Sequence, residues 1–150
     1  MQLTVYADTS VIGGCFDDEF SEASTRLIEE FRSGNKTLVA SDLMLRELEE
    51  APTRVQQVFF SIPNEHIDFV ILDEEANLLA SKYIEEGAVS NNFLIDAQHI
   101  AIATISRVDV LVSWNFKHIV NLRRIQLYNA TNLKYGYPTL EIRSPLEILE

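Results

Sequence analysis

The chain has 150 residues, 47% hydrophobic and 23% charged. That suffices for one globular domain with its own core, so residues 1–150 are read as a single unit. Its 12 Lys and Arg against 23 Asp and Glu give a formal net charge of −11, which argues against an extended polyanion-binding surface. The single cysteine, Cys15, excludes an internal disulfide and a thiolate metal cluster, and His66, His99 and His118 form no paired-histidine zinc motif. No apolar run approaches the roughly 20 residues of a membrane span. Asp8 interrupts the first apolar stretch at once, so neither a leader nor a membrane role is expected and a cytoplasmic location is.

The chain opens with Leu3 to Ala7, a β-prone and almost wholly apolar run that reads as a strand buried on both faces. It stops at Asp8-Thr9-Ser10. A helix is expected from Ser21 to about Arg32, with Ala23, Leu27, Ile28 and Phe31 as its stripe and Gly34 ending it. Thr37 to Ala40 reads as a second strand, and Ser41 or Asp42 caps a helix that carries Glu47. Pro52 suits the first turn of the next helix, which Pro63 terminates. Ile67 to Leu72 is the third strand, and Asp73 caps a helix running to Gly87. Asn91 or Asn92 opens an apolar helix over residues 93–106, whose alanines allow close approach to a sheet. Val108 to Val112 is the fourth strand, ending at Ser113-Trp114-Asn115. Residues 119–134 look helical with a blurred stripe, and Thr139 to Ile142 is the fifth strand. Alternating strands and helices predict a three-layer α/β/α domain with a mainly parallel sheet.

Three acids stand out against this background. Asp8 lies at the end of a central strand, where open α/β sheets bind ligands. Glu47 sits in the helix after the second strand, and Asp96 in the first turn of the apolar helix. Each has an ordinary alternative: a turn cap for Asp8, a solvated face for Glu47, a helix cap for Asp96. Right-handed crossovers bring all three toward one sheet edge, together with Asn115. Converging carboxylates repel, and a hard divalent cation such as Mg²⁺ or Mn²⁺ relieves them. The charge is also uneven. Residues 107–143 hold six bases against Asp109 and Glu141, a balance of +4, which leaves −15 elsewhere. That pattern hints at a local anion-facing surface, or at a merely basic solvated helix.

Asp8-Thr9-Ser10-Val11-Ile12, Glu47 within Leu45-Arg46-Glu47-Leu48, and Asp96-Ala97 followed by Ile100-Ala101-Ile102-Ala103-Thr104 resemble the PIN-domain family, including the VapC-type toxin ribonucleases. The resemblance implies a five-stranded sheet of order 3-2-1-4-5 and metal-dependent hydrolysis of RNA phosphodiesters. Asp8, Glu47 and Asp96 would hold Mg²⁺ or Mn²⁺, with Asn115 assisting. Thr9, Ser10 and Ser113 would support the carboxylates, and Lys117, Arg123 and Arg124 would contact RNA. An antitoxin partner and a homodimer are further implications. One departure stands out: Ser113-Trp114-Asn115-Phe116-Lys117-His118 carries an amide where the family usually has a fourth acid. It keeps open a non-catalytic PIN-like module that binds RNA or protein. Trp114 is read as a base platform or a packed loop aromatic, His118 as a phosphate contact or a packing residue, and His99 as packing or surface. A phosphoacceptor receiver or aspartyl phosphotransferase is disfavoured, because Asp8-Thr9-Ser10 offers neither an acid pair nor Asp-x-Asp.

Overall fold

The computed structural model describes residues 2–150. Five parallel strands form one sheet of order β3-β2-β1-β4-β5, the order the resemblance implied. They are β1 (Leu3–Ala7), β2 (Lys36–Ser41), β3 (Ile67–Val70), β4 (Val110–Val112) and β5 (Ile142–Arg143). The helices are α1 (Thr9–Gly13), α2 (Ser21–Ser33), α3 (Asp42–Glu49), α4 (Thr53–Phe60), α5 (Glu74–Glu85), α6 (Leu94–Ile105) and α7 (Leu122–Lys134). None is long and apolar enough to cross a membrane among the described residues.

The middles of the central strands are apolar, as suits strands covered on both faces. Val5 and Ala7 of β1, Leu38 and Ala40 of β2, and Val110 and Val112 of β4 join one core with Leu27, Ile28, Phe31 and Met44. The alternate residues Tyr6, Val39 and Leu111 join a second core on the opposite face, with Tyr83, Ile100, Ile102 and Tyr128. A period of two thus sorts one apolar run into two layers of packing. Since β1 lies between β2 and β4, residues following β1 and β4 meet at the topological switch point.

Several boundaries differ from expectation, each for a local reason. Helix α1 follows β1 directly, although Thr9 to Gly13 is rich in β-branched residues and glycine. Burial of Val11 and Ile12 outweighs their weak helical preference. Strand β3 stops at Val70 because the Leu72 amide turns away to donate to Asp42 Oδ1 at 2.8 Å. Pro52 is the residue before α4 rather than inside its first turn. Strand β4 begins at Val110, after Arg107 adopts φ 57°, and β5 lies at Ile142–Arg143, later than Thr139. The blurred stripe of residues 119–134 is explained by α7 starting only at Leu122, capped by Asn121. Ile119 and Val120 instead donate to the Asn115 carbonyl in a turn.

Candidate active site

Asp8 is 7% exposed, at the end of β1. Both of its oxygens accept hydroxyl protons: Ser10 Oγ donates to Oδ1 at 2.5 Å and Ser113 Oγ to Oδ2 at 2.6 Å. Each hydroxyl in turn accepts a backbone amide of the loop after β4. Trp114 N donates to Ser10 Oγ at 3.0 Å, and Asn115 N to Ser113 Oγ at 3.0 Å. The carboxylate is therefore tied to both sides of the switch point. Burial raises its pKa; the His99 ring and the two hydroxyls oppose that rise, and Glu47 adds to it.

Glu47 lies on α3, which Ser41 caps by accepting Met44 N at 3.0 Å. Its Oε1 accepts from Thr9 Oγ1 at 3.1 Å and from His99 Nε2 at 2.7 Å. Partial burial pushes its pKa up, but the His99 contact, with help from Thr9, outweighs burial and holds it below the usual range. Asp96 is in the first turn of α6, where Asn115 Nδ2 approaches its Oδ2 at 3.4 Å. Burial raises the Asp96 pKa, His118 and His99 oppose it, and Asp8 and Glu47 raise it further. The three carboxylates thus lie near enough to act on one another through space.

Asn115 is oriented differently from a simple oxygen donor. Its Oδ1 accepts the amides of Lys117 at 3.2 Å and His118 at 3.0 Å, so the side-chain nitrogen faces Asp96. Trp114 is buried, stacked on Phe20 with centroids 4.1 Å apart, and Nε1 donates to Ser24 Oγ at 2.8 Å. A Cβ at Gly14 would lie 2.6 Å from Trp114 Nε1, so this glycine permits the ring to sit there. The packed reading of Trp114 is the one observed. His118 is also packed, stacked on Phe93 at 3.6 Å. Of the three bases, Lys117 and Arg123 are exposed, whereas Arg124 Nη1 donates to the Ala88 carbonyl at 2.9 Å.

No family model matches the sequence, and no curated protein matches it. Solved structures do. A toxin-antitoxin complex from Klebsiella pneumoniae aligns with TM-score 0.56 and 15% identity, over 76% of this chain and 88% of that one. VapBC2 from Rickettsia felis, bound to a DNA fragment from its promoter, aligns with TM-score 0.53 and 14% identity over 95% and 98%. FitAB bound to an IR36 DNA fragment aligns with TM-score 0.61 and 11% identity over 94% of each chain. The fold is that of a PIN domain.

Within this PIN-type fold, the candidate donors near the switch point are the hard carboxylate oxygens of Asp8, Glu47 and Asp96, with no cysteine among them. Among the described residues, no group of three or more His, Cys, Asp or Glu side chains is close enough together to form a metal cage. The chemistry still fits Mg²⁺ or Mn²⁺, since Mg²⁺ keeps several waters and is bound through one or two carboxylates. His99 is the participant that sequence reasoning missed. A lone histidine on an apolar helix carries no spacing signal, but its place three residues after Asp96 puts it on the same helix face.

Proposed function

We propose that this protein is a metal-dependent ribonuclease and the toxin of a toxin-antitoxin pair. The observation that carries this reading is Asp8: a carboxylate buried at the topological switch point, held only by hydroxyls, with Glu47 and Asp96 beside it. Evolution of a purely structural acid favours a basic partner, because an unmatched buried charge is costly. Likeness to toxin-antitoxin complexes supports the same assignment.

Asp8, Glu47 and Asp96 would hold Mg²⁺ or Mn²⁺, which when bound activates water and neutralises charge on a phosphodiester. Ser10 and Ser113 fix the Asp8 rotamer, and Thr9 and His99 fix Glu47. Asn115 holds the loop after β4 through Oδ1 and steadies Asp96 through Nδ2. Lys117 and Arg123 lie exposed to meet phosphates flanking the scissile bond. The partners of this reading are an RNA substrate, an antitoxin and a second copy in a homodimer, acting in the cytoplasm.

A non-catalytic module that binds RNA or protein is the second reading, favoured by one observation: the fourth position is a neutral amide whose oxygen is committed to the backbone. Incubating purified protein with a mixed RNA pool in Mg²⁺, Mn²⁺ or chelator separates the two. The nuclease reading expects cleavage that chelator and Asp8→Asn both abolish. RNA binding without cleavage under every condition would establish the module instead.

A further inference from the structure

A chain of buried hydrogen bonds runs from the start of α3 to the candidate site. Met44 N donates to Ser41 Oγ at 3.0 Å, Ser41 Oγ meets Tyr6 Oη at 2.7 Å, and Tyr6 Oη meets His99 Nδ1 at 2.5 Å. His99 Nε2 then lies 2.7 Å from Glu47 Oε1. Ser41, Tyr6 and His99 are all buried, so water cannot rearrange the donors.

Counting protons fixes the direction. Glu47 is a carboxylate and accepts, so Nε2 carries a hydrogen. If Nδ1 is bare, it accepts from Tyr6, Tyr6 accepts from Ser41, and Ser41 accepts from Met44. Every donor then has one acceptor. With Nδ1 also protonated, Tyr6 would turn its proton to Ser41, and the Ser41 hydrogen would have no acceptor among the described residues. The Tyr6 phenol carries one proton at neutral pH and so contributes a single donor to the chain.

We infer that His99 is a positioning residue: held as the Nε2–H tautomer by Tyr6 and Ser41, it pins Oε1 of Glu47. Both hydrogen bonds to this carboxylate, from His99 and Thr9, fall on Oε1. Oε2 is left without a hydrogen-bond partner among the described residues and is the oxygen that would serve as a one-oxygen donor. The role of that donor rests on the proposed metal-dependent function, whereas the tautomer does not. Tyr6, one of the largest fully buried side chains, thereby connects the β1 strand to the orientation of an acid on α3.

The test uses the metal-free protein first. Nitrogen-15 NMR of the histidine rings is expected to show His99 protonated at Nε2 and bare at Nδ1; Tyr6→Phe removes the donor to Nδ1 while Glu47 still holds the Nε2 hydrogen, and should populate the doubly protonated ring. A doubly protonated ring, or an Nδ1–H ring, in the wild-type protein would overturn the inference. Mn²⁺ titration is the second arm. His99→Leu should weaken binding by about 10- to 100-fold, as removing a partner behind a ligand does. His99→Gln, whose amide nitrogen can stand in for Nε2, should restore most of it. Wild-type affinity in a folded His99→Leu protein would likewise overturn the positioning role. If wild-type protein takes up no Mn²⁺, the metal-dependent function fails, and the NMR pattern still decides the tautomer and its hold on Glu47.

Discussion

At the edge where the strands begin, Lys36 is 1% exposed and its ammonium lies 3.0 Å from Glu30 and 3.8 Å from Glu150. At the edge where they end, Asp8 is about as deeply placed, yet among the described residues it accepts side-chain hydrogen bonds from hydroxyls alone, and Glu47 and Asp96 lie within electrostatic reach. The first arrangement is matched charge. Coulomb attraction there opposes part of the desolvation cost, although neither the Lys36 ammonium nor Glu30 Oε2 has a hydrogen-bond partner among the described residues. The second accumulates charge of one sign, and among the described residues its relief comes from imidazole, hydroxyl and amide donors. Matched burial marks a structural pair, and the unmatched burial of Asp8 is the feature on which the proposed metal site rests.

Breaking the matched pair should have the largest effect. Lys36→Met leaves Glu30 with 14% side-chain exposure and no cation, and should cost about 3 kcal/mol, the low end for a half-removed buried pair. Urea denaturation measures it, and adding Glu30→Gln should recover much of the loss. If Lys36→Met alone proves neutral, the pairing is not what holds that edge.

The unmatched side should respond in the opposite sense. Asp96→Asn should abolish divalent binding while leaving the metal-free protein as stable as wild type or more so. The pH dependence follows from the sign of the shift. Asp96 has an ordinary pKa of 3.8 that folding raises, so its protonated form favours the fold. That stability is fully present below the unfolded value and is lost as pH rises through the folded one. The advantage of Asp96→Asn should therefore be greatest at neutral pH and fade on acidification. A melting temperature lowered at every pH would instead identify Asp96 as a structural cap.

Asn115→Asp sharpens the contrast by adding a fourth acid. Its oxygens can still accept the Lys117 and His118 amides, but the donor toward Asp96 disappears. Metal-free stability should fall, and Mn²⁺ binding should tighten with faster cleavage. Loss of both affinity and activity would mean that the amide donor is required.

The smallest effect is expected at the bases. Arg123→Glu should flatten the log–log salt dependence of single-stranded RNA binding by about 0.7, the share of one neutralised phosphate, with no change in melting temperature. Arg124→Glu should instead lower thermal stability, since its guanidinium holds the Ala88 carbonyl. An unchanged salt slope for Arg123→Glu would make that face a solvated or protein-binding surface.

Sequence periodicity was sufficient to find the five strands, because strands buried on both faces leave apolar runs bounded by caps and glycines, whereas their order came from the family resemblance. The acids were legible for a related reason: Asp8 and Asp96 interrupt apolar surroundings, and Glu47 follows a recognisable cap. What was not legible depends on distance in space. The Asp42–Leu72 hydrogen bond that ends β3 joins side chain to backbone across 30 residues. The turn at Asn115 that delays α7 is a backbone event with no composition signal. His99 looked like packing because its partners, Tyr6 and Glu47, are 93 and 52 residues away.

Trp114 is the only tryptophan in the chain, and its surroundings make it an optical reporter. Its indole is stacked on Phe20, while its own backbone amide donates to the serine that grips Asp8. Any ligand that draws the Asp8 carboxylate toward the crevice pulls on that serine and on the loop bearing the chromophore. Intrinsic emission excited at the indole band should therefore change when a ligand engages Asp8, without a label and without a substrate.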